Sequence, residues 1–156
     1  MQQNSESTIK KFFDTYFTFN GRLNRKPFIM RILASILITI ILFLTIILVF
    51  YGDLTLENVD EYNLSIPYFI ILFVNTWFFY ANANRRFQDM NKDKKWTIFA
   101  FLIYLPSLFL DFTKQYPELS FVISCISFAI FIYLCVKKGT FGPNKYGDTQ
   151  NQEELK

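Results

Sequence analysis

The 156-residue chain is 52% hydrophobic, holds 20 Phe and 9 Tyr against 5 Gly, and carries a formal net charge of +3. That length bounds it to one domain. With no His and only 2 Cys, the ordinary zinc and haem ligand sets are missing.

Residues 1–18 read as a tail in which "KKFFDTYFTF" can form a short amphipathic segment on a membrane surface. The first helix is expected over about residues 26–51, with Asn24 as its cap, Pro27 tolerated in its first turn and Arg31 snorkelling toward headgroups. An acidic loop, "GDLTLENVDEYNL", leads to a second helix over about 64–86 with Pro67 near its start. The stretch "NANRRFQDMNKDKKW" then gathers Arg85, Arg86, Asp89, Lys92, Asp93, Lys94 and Lys95 between two apolar segments. A third helix, about 94–112, would be capped by Asp93 and kinked or weakened at Pro106. The fourth, about 118–138, would end at Gly139, and residues 148–156 form a second tail.

The uncharged runs 32–52, 62–84, 96–110 and 119–136 are 21, 23, 15 and 18 residues long. A helix rising about 1.5 Å per residue needs roughly 20 residues to cross a hydrocarbon core of about 30 Å. In lipid every backbone donor and acceptor needs a partner within the chain, so such runs are helices, and they are too continuous for barrel strands. The fold class expected is an all-α integral membrane protein with four transmembrane helices in a domain spanning 19–147. The third run spans only with bilayer thinning and snorkelling of Lys94 and Lys95; otherwise it is re-entrant or interfacial. A soluble protein with very apolar core helices is the competing class. The first run is too long for a signal-peptide core and lacks a small-residue cleavage site. Cys125 and Cys135, ten positions apart on one helix, are too distant for an intrachain disulfide.

Lys and Arg fall as six, none, five, one and four across the successive segments between and flanking the uncharged runs. That alternation predicts four crossings with both termini cytoplasmic. Tyr and Trp near the run ends, Tyr51, Tyr62, Tyr68, Trp77, Trp96, Tyr104, Tyr116 and Tyr133, fit an interfacial belt.

Two polar stripes mark the runs. Asn75 and Asn82 share a face of the second helix with Arg86 and Asp89, and Ser120, Ser124 and Ser127 share a face of the fourth. Helix-to-helix hydrogen bonding is one role, a polar path the other. On the cytoplasmic face Gly21, Arg22, Arg25, Arg85, Arg86 and Asp89 are expected to meet the turn carrying Gly142, Asn144 and Tyr146. Asp89 can orient one guanidinium, from Arg85 at i, i+4 or Arg86 at i, i+3. Such a cluster can bind an anionic headgroup or a partner protein. Alternatively the arginines only set topology and touch phosphates nonspecifically, as Lys10, Lys11, Lys92, Lys94 and Lys95 do.

Three ordered motifs in the chain resemble the DUF805 family of small bacterial inner-membrane proteins of unknown function. They are Phe19, Gly21, Arg22 and Arg25; then Arg86, Asp89 and Trp96; then Gly139, Gly142, Asn144, Tyr146 and Gly147. The resemblance implies a bacterial inner-membrane location and brings no known activity. The family often has His where this chain has Gln88 and a small residue where it has Lys95, and the interval from Asp89 to Trp96 is about one residue longer. A proton-transfer role for that His has no counterpart here.

The reading favoured is a non-enzymatic membrane protein with no catalytic residues, no metal and no cofactor. Its partners are the bilayer, anionic headgroups and a second copy or membrane protein, with no nucleic acid. A small oligomeric transporter lined by Asn75 and Asn82 is the alternative, and a lipid-acting enzyme ranks last.

Overall fold

The computed structural model describes residues 10, 12–51, 61–108 and 114–147. Most of the acidic first loop, the last part of the expected third helix, and both outer tails (1–9 and from 148 onward) lie outside the described residues. The elements are α1 (Arg25–Tyr51), α2 (Glu61–Asp89), α3 (Lys94–Tyr104), a 3₁₀ turn (Leu105–Leu108) and α4 (Pro117–Val136). No strand occurs among the described residues, and a single isolated antiparallel bridge joins Asn144 to Gly147. α1 and α3 each pack on both α2 and α4, and a smaller contact joins α2 to α4 across the bundle.

Among the described residues two helices are long and apolar enough to cross a membrane, over Arg25–Val49 and Pro117–Val136. The distribution of side chains agrees with an apolar surround. Leu37, Ile40, Phe73, Phe121 and Phe128 point outward, while Arg22, Asn82, Asn84, Arg86, Gln88 and Asp89 are buried. A water-soluble domain has the reverse preference, because a buried charge must be paired and a large exposed apolar surface associates. The buried apolar cluster of Leu23, Phe28, Ile32, Ala83, Phe87, Met90 and Leu134 lies toward one end of the bundle, beside those polar groups. Trp77, Trp96, Tyr116 and Tyr133 are exposed, whereas Tyr104 stacks near Tyr80 with ring centroids 6.4 Å apart.

Several local expectations change. The helical pitch of α2 runs on through Asp89, so Arg85, Arg86 and Asp89 occupy its last turns and the link to α3 shrinks to residues 90–93. The regular part of α3 is only 11 residues long. At about 1.5 Å per residue that is roughly 16 Å, and the four 3₁₀ residues add about 8 Å, so the described part of the segment is shorter than a hydrocarbon core of about 30 Å. Pro106 falls within the 3₁₀ turn, where its missing N–H and fixed φ favour the tighter winding. Asp93 stands at the N-cap position of α3, but its side chain makes no capping hydrogen bond. Gly139 does not terminate α4, which ends at Val136 with Lys137 extended after it.

The end of α2 is closed by its own backbone. Asn91 adopts a left-handed conformation with φ 58°. The Asn91 N–H donates to the Gln88 carbonyl (3.0 Å) and the Lys92 N–H to the Phe87 carbonyl (2.9 Å). This is the Schellman arrangement, with Asn in the position that glycine otherwise favours. Replacing Asn91 by Gly should leave the melting midpoint in mild detergent nearly unchanged. Replacing it by Val, which tolerates positive φ worst, should lower stability by about 1–2 kcal/mol. Equal loss for both variants would show that the side chain matters and the conformation does not.

Candidate functional site

The last two turns of α2 carry Arg86 and Asp89 three residues apart, so both project to the same side. Arg22 reaches the same point from the segment before α1. Asp89 Oδ1 accepts from Arg22 Nε at 3.1 Å, and Oδ2 accepts from Arg86. The three side chains are 2%, 0% and 1% exposed for Arg22, Arg86 and Asp89. Two guanidiniums and one carboxylate leave a surplus positive charge in a buried place, which is costly without further partners.

Those partners are backbone carbonyls. Arg22 Nη1 donates to the carbonyls of Gly142 (2.6 Å) and Gly147 (3.2 Å), and Nη2 to the carbonyl of Thr140 (2.7 Å). A weaker bond to Thr140 Oγ1 at 3.3 Å completes the use of the five Arg22 donors. Arg86 donates from Nε to the Leu134 carbonyl (2.9 Å) and from Nη2 to the Lys137 carbonyl. The Leu134 carbonyl belongs to the last turn of α4, where helical carbonyls lack intrahelical donors and the macrodipole is negative. Arg86 therefore caps α4 from α2.

The tail returns the favour to α2. The Thr140 N–H and hydroxyl both donate to the Asp89 carbonyl at 2.8 Å, and Asn144 Nδ2 donates to the Gln88 carbonyl at 2.9 Å. Asn144 Oδ1 accepts the Tyr146 N–H (2.9 Å), and backbone bonds between Asn144 and Gly147 close the turn. Close approach explains Gly139: a Cβ there would lie 2.0 Å from Asp89 Oδ2. The residue supplies room for a carboxylate, and a helix cap is not its role. At the surface Lys145 (2.5 Å) and the Tyr146 hydroxyl (3.0 Å) both bond Asp93, which is why Asp93 caps nothing. The Lys145 and Tyr146 hydrogen bonds hold the Asp93 carboxyl below its usual range, and Asp93 in turn raises the Lys145 ammonium.

The segment before α1 is stitched along α2. The carbonyl of Phe19 accepts from Asn84 (2.6 Å), that of Tyr16 from Asn82 (3.2 Å), and the Leu23 N–H donates to the Arg85 carbonyl (3.2 Å). Arg31 and Arg85 both donate to the Thr15 carbonyl, at 2.9 and 2.5 Å, and Arg31 also reaches Asn82 Oδ1 at 3.0 Å. Arg31 thus folds inward and does not snorkel. Asn84 is fixed from its other side by the Thr97 hydroxyl of α3 at 2.8 Å.

Of the residues expected to converge, Arg22, Arg86, Asp89, Gly142 and Asn144 do, and Gly147 joins them. Arg85 takes a different partner on the Thr15 side, with Gly21 beside it, and its Nε is buried without a hydrogen bond. Arg25 stays exposed. Tyr146 belongs to the surface anchor. The polar stripes divide. Asn75 Oδ1 accepts from Thr39 of α1 (2.9 Å), so Asn75 and Asn82 tie different parts of α2 to different partners. Ser124 bonds only within α4, to the Ser120 carbonyl at 2.9 Å, and the Ser127 hydroxyl is buried without a partner. Asn75, Ser124 and Ser127 line a cavity of about 460 Å³ that also touches Ile32, Ile130 and Phe131. Those three apolar residues belong to or pack against the buried cluster, so hydrocarbon separates the cavity from the charges.

Thr15, Asn84, Gly139 and Thr140 are site residues that the spacing of charges does not reveal. The readable signal for Asn84 was a second amide two residues after Asn82 in an otherwise apolar run, and for Thr140 its place between Gly139 and Gly142. Among the described residues no group of three or more His, Cys, Asp or Glu gathers that would hold a metal ion.

A family model described as "Protein of unknown function (DUF805)" matches residues 16–148. The chain belongs to that family, and the matched region contains the clasp, formed by Arg22, Arg86 and Asp89 with the turn 139–147. No curated protein and no solved structure matches it.

Changing Asp89 to Asn leaves two buried guanidiniums without their counter-charge, a loss of about 3–5 kcal/mol when a buried pair is broken from one side. Gly139→Ala should destabilise in the same direction by driving a methyl into the carboxylate. Lys94→Ala, at an exposed position, should stay within about 0.5 kcal/mol of the parent. Thermal unfolding in mild detergent compares the three, and equal midpoints would refute the clasp as a structural centre.

Proposed function

We propose that this member of the DUF805 family is an integral membrane protein crossing the bilayer four times with both termini cytoplasmic, and that it acts without catalysis by binding anionic headgroups at its cytoplasmic face. The observation that carries this reading is the commitment of the buried arginines. Arg22 and Arg86 spend their donors on Asp89 and on backbone carbonyls, so the clasp shapes the face and is not itself the surface that meets a ligand. Around it Arg25, Lys26, Lys94, Lys95, Lys137 and Lys138 are exposed. Cations held at headgroup level each attract anionic lipid by about 1 kcal/mol.

The charge count along the chain supports the same orientation. The short α3 crosses in this reading by being drawn inward, through Thr97 to Asn84 and Tyr80 to the Ala100 carbonyl (3.4 Å), with the bilayer thinned around it. The one carboxylate at the centre is saturated by two arginines, which leaves it poorly suited to general acid–base work. An oligomeric path along Asn75 and Asn82 fits less well, since Asn82 is fully buried and engaged on both sides.

Orientation is tested with single cysteines in a variant lacking Cys125 and Cys135. A cysteine at Lys114 should react with an impermeant maleimide in intact cells, and one at Lys138 only after permeabilisation; the reverse pattern, or labelling of both, overturns the topology. Binding is tested in nanodiscs of phosphatidylglycerol and phosphatidylcholine. Several-fold enrichment of phosphatidylglycerol among lipids retained by the protein is the expected result, and retention in the bulk ratio refutes it.

A further inference from the structure

A groove of about 500 Å³ runs between α3 and α4, walled by Phe87, Trp96, Phe99, Ile126 and Tyr133. Ala100 and Ala129 line it too, and their small side chains leave the space. Its one charged lining residue is Lys92. The position of that lysine is not left to a floppy loop. The Schellman closure of α2 fixes its backbone through the 2.9 Å bond to the Phe87 carbonyl. Its ammonium then sits 5.1 Å above the Trp96 ring, a cation–π contact that holds the charge at the groove. Lys92 is half-buried as a result, while its neighbours Lys94 and Lys95 are exposed.

We infer that this groove seats one acyl chain of an anionic phospholipid, with Lys92 pairing with the headgroup phosphate; the inference rests on the headgroup-level placement of this end proposed above. The layout matches such a molecule: an apolar slot ending at a single fixed cation. A partner helix or a second copy seated in the slot would keep brominated lipid from Trp96, an outcome that overturns the site. An acyl chain gains little by leaving bulk lipid, because lipid tails are as apolar as the groove walls. Selectivity therefore comes from the headgroup. A single lysine, worth about 1 kcal/mol at the membrane surface, gives roughly a fivefold preference for an anionic over a zwitterionic lipid. The exposed lysines form a diffuse field, and Lys92 couples that field to a shaped slot.

The chain has 2 Trp, so Trp77→Phe leaves Trp96 as the sole tryptophan reporter. This protein is reconstituted in phosphatidylcholine vesicles with rising fractions of phosphatidylglycerol or phosphatidylcholine bearing brominated acyl chains, which quench indole fluorescence on contact. Half-maximal quenching of Trp96 should require roughly fivefold less brominated phosphatidylglycerol than brominated phosphatidylcholine, the factor set by one lysine. Lys92→Gln should narrow the separation of the two curves by about the factor that one lysine sets, Lys114→Gln, at the opposite end of α4, should leave it unchanged, and Ala129→Phe should weaken quenching by both lipids. Coincident curves in the unsubstituted groove, or an equal effect of Lys114→Gln and Lys92→Gln, overturn the site. Nanodisc enrichment of phosphatidylglycerol with coincident Trp96 curves would sink the groove and leave the cationic face standing; loss of both would sink the two together.

Discussion

Two guanidiniums closed around the Asp89 carboxylate set the conditions for the rest of this molecule. A charge taken out of water loses several kcal/mol of hydration even after relaxation, and a triad with one surplus positive charge cannot recover that from pairing alone. The deficit is met by carbonyl oxygens, and those have to come from segments with no other donors to satisfy them. Helix ends and tight turns are the places where a chain has such carbonyls. The clasp and the helix termini therefore require one another: Arg86 closes α4, Thr140 and Asn144 close α2, and Arg22 closes the turn between them.

This reciprocity explains why the tail after α4 is ordered although it contains no helix or strand. Its glycine and threonine residues face a carboxylate and two guanidiniums, and its backbone oxygens are ligands in all but name. Gly139 marks the tightest point. Any side chain there would displace Asp89, and with it the bonds from both arginines. The segment before α1 plays the matching part on the other side, with the carbonyls of Thr15, Tyr16 and Phe19 taken up by Arg31, Arg85, Asn82 and Asn84.

Away from this end the bundle is different in kind. Packing thins, apolar side chains turn outward, and grooves open between helices. In an apolar surround there is no hydrophobic force to close such grooves, because lipid covers them as well as a neighbouring helix would. Polar bonding supplies the specificity instead. A molecule built this way has one rigid polar end and a more loosely packed apolar body, a division suited to presenting a defined face at a membrane surface.

Much of the architecture was legible in the sequence because it depends on local quantities. Run length and the absence of charge marked the helices of α1 and α4 within a residue or two, and an interval of three placed Arg86 beside Asp89. The order of the three motifs identified the family. What the sequence could not disclose were pairings across the chain. Arg22 and Asp89 lie 67 residues apart, and nothing in either neighbourhood distinguishes that partnership from headgroup contact. Arg31, Arg85 and Asp93 were misread for the same reason: each had a reasonable local role, and each took a distant partner that only the folded arrangement of helices brings within reach. Local sequence sets where helices form, since backbone hydrogen bonding and apolar length are local. Tertiary structure decided which arginines are buried, because burying a charge is favourable only where several remote oxygens meet it at once.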